Sequence, residues 1–216
     1  MRLRCLFLIP FFSIWAKIRL ECLICNMFLL EDDLQACLST LQNGGLILYP
    51  TDTVWGIGCD ATNEAAVGKV FSLKKREDSK ALIVLVAEEE SILEFTNQTN
   101  IKIFDYIKGV HQPTTVIYEQ AKGLAKNLIS KDGSVAIRIC KDAFCNKLIQ
   151  IFGKPIVSTS ANISGYPTPL IFSDISLDII EGVDYTVRYR QEDTTIQQPS
   201  SIVKWDAKGN LIMIRK

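Results

Sequence analysis

Histidine is almost missing from this chain, with His111 the single one in 216 residues. Cys22 and Cys25 form one CxxC, but with no second pair and one histidine in the whole chain they do not make a zinc site. An excess of either charge is missing too: Lys plus Arg and Asp plus Glu each number 24. The chain as a whole therefore has no general attraction to nucleic acid and no acidic tail, and any polyanion site has to be local. The seven cysteines, three of them within the first 25 residues, follow no disulfide-framework spacing. A reducing compartment, the cytoplasm, is the simpler reading. Internal repeats and low-complexity linkers are absent. So is an apolar run of membrane-spanning length, since Leu6 to Ala16 is short and broken by Pro10.

What is present is a 48% hydrophobic content at a length that suits one domain with a well-formed core. Residues 1–26 stand apart, with Arg2, Arg4, Lys17 and Arg19 against Glu21, leaving 20 basic and 23 acidic groups in the rest. Arg2 and Arg4 before the apolar run resemble an export signal, without a clear small-residue cleavage site. An ordered segment packed on the domain is another reading. The expectation adopted is a dispensable or non-native leader at 1–26, Met27 as the natural start, and one domain over 27–216.

From Glu31 onward the apolar period is helical, with Leu34, Cys37, Leu38 and Leu41 on one face and Gly44-Gly45 as the stop. A strand follows at Leu46–Tyr49, and a glycine-spaced apolar run at Val54–Cys59. Thr62 is the expected N-cap of a helix reaching Leu73, with Lys74-Lys75-Arg76 as its last turn. Ala81–Val86 reads as a strand covered on both faces. A helix at Glu88–Phe95, a strand at Thr114–Tyr118 and a helix around Leu124–Ile129 continue the alternation. Ser134–Ile139 reads as a strand, Ala143–Phe152 as a helix and Ile156–Thr159 as a strand. Ile202–Trp205 and Leu211–Ile214 read as an antiparallel hairpin. This is an α/β pattern with a mixed sheet.

Three polar segments lie at strand ends, where open α/β sheets collect ligands. In Pro50-Thr51-Asp52-Thr53-Val54-Trp55-Gly56-Ile57-Gly58, glycines permit close backbone approach and threonine hydroxyls can donate to an anionic oxygen. On local evidence alone a Pro-Thr turn, with glycines relieving strand crowding, is the preferred reading. Lys74-Lys75-Arg76 with Lys80 offers cations for phosphate or carboxylate, or simply a solvated helix end. Ser158-Thr159-Ser160-Ala161-Asn162-Ile163-Ser164-Gly165 packs neutral donors and acceptors densely, suiting ribose, phosphate or an adenine edge, or a turn network. Arg138, inside the apolar strand, calls for an acidic partner or an anionic ligand.

In this order and separation the segments resemble the signature of the YrdC/TsaC family, over roughly Leu46 to Val203. Thr51-Asp52-Thr53 through Gly58 is similar to the family's Pro-Thr-acid-Thr-aromatic-Gly-x-Gly run. Lys74-x-Arg76 is similar to its Lys-x-Arg motif, Val135-Ala136-Ile137-Arg138 to its Val-Ala-Val-Arg strand, and Ser160-Ala161-Asn162 to its Ser-Ala-Asn loop. Pro199-Ser200-Ser201-Ile202-Val203 resembles its closing motif. Val110-His111-Gln112-Pro113-Thr114-Thr115 departs from the family's Trp-Pro-Gly-Pro-x-Thr, matching only at Pro113 and Thr115. With nothing after Lys216, the chain resembles the short single-domain form.

The resemblance implies a twisted open mixed sheet flanked by helices, with a concave cleft. It implies synthesis of threonylcarbamoyl-AMP and pyrophosphate from ATP, L-threonine and bicarbonate, for tRNA modification with downstream tRNA-modification proteins and away from any membrane. An ATP-using enzyme fits the cytoplasm. The resemblance assigns Lys74 and Arg76 to catalysis at the triphosphate, and Thr53 with Arg76 to threonine or its carbamate. It assigns Arg138, Ser160, Asn162 and Ser200, beside Lys74, to ATP. Mg2+ is expected with ATP, through phosphate oxygens and no dedicated protein site. Two other readings stay open: a non-catalytic tRNA- or double-stranded-RNA-binding protein, and a carbamoyl-transfer domain.

Overall fold

Among the described residues nine strands form one mixed sheet, in the spatial order β7 (Tyr185–Thr186), β1 (Ile47–Tyr49), β2 (Gly56–Gly58), β6 (Ile156–Ser160), β3 (Ile83–Val86), β5 (Val135–Ile139), β4 (Thr114–Tyr118), β8 (Ser201–Trp205) and β9 (Leu211–Arg215). The computed structural model describes residues 28–75, 82–97, 101–206 and 209–216. The leader expected at 1–26, with Cys22 and Cys25, lies outside the described residues, as do Arg76 and Lys80.

Helix α1, residues 28–42, buries Leu34, Cys37 and Leu41, and Gly44 takes a φ of 68° where the chain turns into β1, Ile47–Tyr49. β2 is Gly56–Gly58, antiparallel to β1. Gly58 is required sterically, since a Cβ there would meet the Tyr49 ring at 2.6 Å and the Val157 carbonyl at 2.8 Å. Helix α2 is Glu64–Leu73. Its N-cap is Asn63, which accepts from the Ala66 amide, and not the predicted Thr62. The Thr62 hydroxyl instead donates to Asp60 at 2.6 Å, so the stronger acceptor next door removes it from the cap. The helix also stops one residue before Lys74, which caps it, and Lys75 has a φ of 49°. Lys74 and Lys75 therefore follow the last turn instead of forming it.

β3 is Ile83–Val86, α3 Glu90–Phe95, α4 Ile101–Gly109 and β4 Thr114–Tyr118. The helix predicted around Leu124–Ile129 is a single 3-10 turn, Lys126–Leu128. β5 is Val135–Ile139, and α5, Ala143–Phe152, keeps its predicted bounds because Asp142 caps it and Gly153 ends it at a φ of 70°. β6 is Ile156–Ser160, α6 Leu177–Glu181 and β7 Tyr185–Thr186. β8, Ser201–Trp205, and β9, Leu211–Arg215, form the expected antiparallel hairpin. Parallel pairing occurs at β3/β5, β4/β8 and β1/β7, and the other ladders are antiparallel.

Asp33 ties α1 to the chain after β7. Wholly buried, it accepts from Tyr185 Oη (2.6 Å), Arg188 Nε (3.0 Å) and the amides of Arg188 (2.9 Å) and Tyr189 (2.7 Å). Four donors compensate the cost of burying a carboxylate.

Candidate active site

A cavity of about 320 Å³ lies across one face of the sheet, from Gly56 on β2 and Ser160 on β6, past Arg138 on β5, to Arg215 on β9. Gly56 keeps part of its floor open, because a Cβ there would stand 3.2 Å from the Ser158 hydroxyl.

Arg138 is 3% exposed and meets the acid that its burial demands: Nη2 is 3.0 Å from Asp52 Oδ1. Its Nη1 donates to Thr53 Oγ1 at 3.3 Å. The hydroxyls behind it have a defined direction. Thr51 Oγ1 gives its one hydrogen to the Val54 carbonyl (2.7 Å), so across the 2.9 Å contact with Thr53 it is the acceptor. Thr53 thus spends its proton on Thr51 and presents a lone pair to Arg138. Its hydroxyl lines the cavity as an acceptor, not as the donor to an anion that the sequence also allowed.

At the other end, Ser200 is 1% exposed, and its Oγ lies 2.8 Å from Thr115 Oγ1. Arg215 donates from Nε (3.0 Å) and Nη2 (2.7 Å) to the Ser200 carbonyl. Arg215 also lines the cavity, at its mouth. Its pKa is pushed down by desolvation and then by the like charge of Arg138. Two guanidiniums that repel each other across a pocket leave it ready for an anion. Sequence reasoning missed Arg215. The available signal was a charge closing an otherwise apolar run, Leu211–Arg215; the register shift opposite Ile202 and Val203 brings it to the cavity beside Ile214.

The third segment forms the wall between this cavity and a neighbouring one of about 630 Å³. Ser160 lines the first, Asn162 the second, and Thr168 both. Ser160 Oγ donates to Asn162 Oδ1 at 2.5 Å, and Asn162 Nδ2 donates to the carbonyls of Tyr166 (2.7 Å) and Ile163 (3.0 Å). Lys74 sits beneath the loop, 1% exposed, with Nζ donating to the carbonyls of Ser160 and Asn162. The Ser164 amide returns a hydrogen bond to the Lys74 carbonyl at 2.9 Å. The fold thus gathers Thr53, Arg138, Ser160 and Ser200 on one cavity, places Asn162 on the next and puts Lys74 under the wall between them. His111 is exposed and is not among the residues lining either cavity.

Residues 39–216 match the Sua5/YciO/YrdC family model, described as telomere recombination. The chain belongs to this family. Threonylcarbamoyl-AMP synthase of Photobacterium profundum is 37% identical over 142 residues, 63% of this chain and 75% of the relative. The protein of the same name from Pseudoalteromonas translucida is 32% identical over 175 residues, 80% and 92% of the two chains. The structure of P. abyssi Sua5 complexed with L-threonine superposes with a TM-score of 0.74 at 22% identity over 84% of this chain, a likeness of fold. This chain spans about half of that Sua5, 53% of its length. Among the described residues no helix is long and apolar enough to cross a membrane.

Proposed function

We propose that this protein is an L-threonylcarbamoyladenylate synthase, a nucleotidyltransferase that makes threonylcarbamoyl-AMP and pyrophosphate from ATP, L-threonine and bicarbonate. The observation that carries the reading is the convergence of Arg138 and Arg215 on one cavity with the hydroxyls of Ser160 and Ser200. Relatives named threonylcarbamoyl-AMP synthase support it.

The threonine amine and bicarbonate condense to a carbamate with loss of water. A carbamate oxygen then attacks the α-phosphorus of ATP. The new O–P bond forms as the bond to the bridging oxygen breaks, and pyrophosphate leaves with the electron pair. Such an in-line displacement asks for positioning and charge neutralisation more than for a covalent nucleophile. Arg138 and Arg215 supply charge to the nucleotide, and Ser160, Asn162 and Ser200 supply neutral contacts to it. Lys74 aligns the Ser160–Asn162 loop from below and adds positive potential on the phosphate side. Arg76 is proposed at the triphosphate and the carbamate, and Thr53 accepts a hydrogen bond at the threonine end.

Among the described residues no group of three or more His, Cys, Asp or Glu could hold a metal ion. The cavity's cations and hydroxyls suit phosphate oxygens, so magnesium enters as part of the MgATP substrate. A carbamate–phosphate anhydride hydrolyses in water, and its consumer is a transferase acting on tRNA in the cytoplasm.

With magnesium and ATP, the protein is expected to release pyrophosphate only when L-threonine and bicarbonate are both present, and the adenylate is expected by mass spectrometry. Serine is expected to serve less well, by the roughly 1–3 kcal/mol that one methyl group is worth. Equal pyrophosphate release without threonine overturns the reading. Tight RNA binding with no adenylate under any condition favours the RNA-binding alternative.

A further inference from the structure

The ion pair between Arg138 and Asp52 is under-satisfied on both sides. Arg138 Nε is buried with no hydrogen-bond partner, and both Asp52 carboxylate oxygens are buried without a directed hydrogen bond. The 3.0 Å approach of Nη2 to Oδ1 is therefore a charge contact of indifferent angle. A pair serving only stability gains most from full satisfaction, because every unmet buried donor or acceptor leaves its desolvation uncompensated. Here the guanidinium lines the cavity whereas the carboxylate stands behind it, its side chain 12% exposed. Asp52 is itself placed by the turn that Thr51 and Thr53 close on either side, where the Thr53 amide donates to Thr51 Oγ1 at 3.0 Å.

We propose that Asp52 is a positioning residue. From behind, it fixes the plane of the Arg138 guanidinium, so that the remaining terminal N–H groups face an anionic substrate in the cavity. Asp52 itself touches no substrate. Of the five guanidinium hydrogens, one goes toward Asp52 and one to Thr53. One hydrogen on each of Nη1 and Nη2 remains beside the buried Nε–H, and such a terminal pair suits a bidentate phosphate or carboxylate. The inference rests on the proposed function only in taking that anion to be ATP.

A double-mutant cycle read by calorimetric binding of MgATP to the full chain tests it, since a residue acting only through Arg138 loses its effect when Arg138 is gone. Asp52→Asn is expected to weaken MgATP binding at least tenfold in the parent background and by less than twofold in an Arg138→Met background. Asp52→Glu, which keeps the charge, is expected to stay within threefold of the parent. An equal loss in both backgrounds, or no loss in either, overturns the proposal. If Asp52→Asn alone leaves a buried guanidinium unpaired and does not fold, the double variant removes that charge. Equal MgATP affinity of the double variant and Arg138→Met then supports the proposal, and a further loss in the double variant overturns it. Binding is measured without turnover, so a missing threonine-dependent pyrophosphate release in the parent speaks against the synthase reading alone.

Discussion

Lys74 Nζ donates to the carbonyl oxygen of Asn162 at 2.6 Å, across a sequence separation of 88 residues. The turn after α2 is thereby bonded to the loop after β6, and a cation at a helix end becomes part of the support for the wall between the two cavities. Lys74 and Asn162 belong to separate motifs in the sequence, and in the fold they are one unit.

Lys74→Met keeps the length of the side chain but leaves two carbonyls without this donor. The expected cost is about 2–3 kcal/mol, or roughly 5–10 °C in melting temperature for a domain of this size. Threonine-dependent pyrophosphate release is expected to fall at least tenfold. A scanning calorimetry trace unchanged from the parent contradicts the clamp.

Arg215→Met removes one of the two cavity cations from an exposed position, and so is expected to act on ligand and not on fold. MgATP affinity is expected to drop about tenfold, in line with losing a charge-assisted contact, with the melting temperature moving by less than about 3 °C. A large fall in melting temperature with normal affinity means that the Ser200 carbonyl contact is what Arg215 serves.

Tyr185 gives a pH prediction. Its burial, and then its hydrogen bond to Asp33, push the phenol up to about 12 from an ordinary value of 10.0. The folded state holds the neutral phenol. Its contribution to stability is complete below about pH 10 and fades as pH rises from there toward 12, because the unfolded chain ionises first. Tyr49 and Tyr118 are raised too, so the parent and a Tyr185→Phe variant both weaken in alkali. The expected difference is a shallower fall for Tyr185→Phe in urea midpoints between pH 9 and pH 11. Parallel falls in the two proteins refute this account of the Tyr185–Asp33 bond.

Where the apolar pattern is dense the sequence reveals its elements directly. β3, β5 and α5 fall where period and caps place them, and the awkward cation in β5 finds the acid that its burial requires. Parts of the fold that depend on distant partners were not legible in this way. β7 is two residues long and exists through its parallel pairing with β1, more than a hundred residues upstream. α4 drew no expectation of a helix, although Ile103, Phe104, Tyr106 and Ile107 of its Ile-Lys-Ile-Phe-Asp-Tyr-Ile-Lys run stand at helical spacing. Thr62 and Asn63 are both good caps, and only the neighbouring Asp60 decides between them. Within the site, Ser160 was legible as a polar group at a strand end and Arg138 as a cation inside an apolar strand, while Ser200 came with the resemblance of Pro199-Ser200-Ser201-Ile202-Val203 to the family's closing motif. The direction of the Thr53 proton was not, because it depends on which carbonyl Thr51 reaches. The partners of Lys74 are backbone carbonyls, which leave no trace in side-chain pattern.

Ser160 and Asn162 share one hydrogen bond yet face different cavities, and this separates the variants expected of them. Ser160→Ala deletes a single donor, and the Asn162 amide stays anchored by the carbonyls of Ile163 and Tyr166. The fold is expected to be unaffected and MgATP affinity to fall about three- to tenfold, the worth of one neutral hydrogen bond in a partly closed site. Asn162→Ala removes the tether to Tyr166 as well, so the loop over the second cavity loosens and a loss beyond tenfold is expected. Asn162→Asp keeps the shape but turns a negative oxygen toward those carbonyls, and is expected to be the worst of the three. Because Ser160 acts partly by holding Asn162, adding Ser160→Ala to Asn162→Ala is expected to cost less than it does alone. Calorimetric binding of MgATP to the four variants checks the order. Full additivity of the two alanine variants means that each side chain meets the nucleotide independently and that their mutual hydrogen bond has no part in binding.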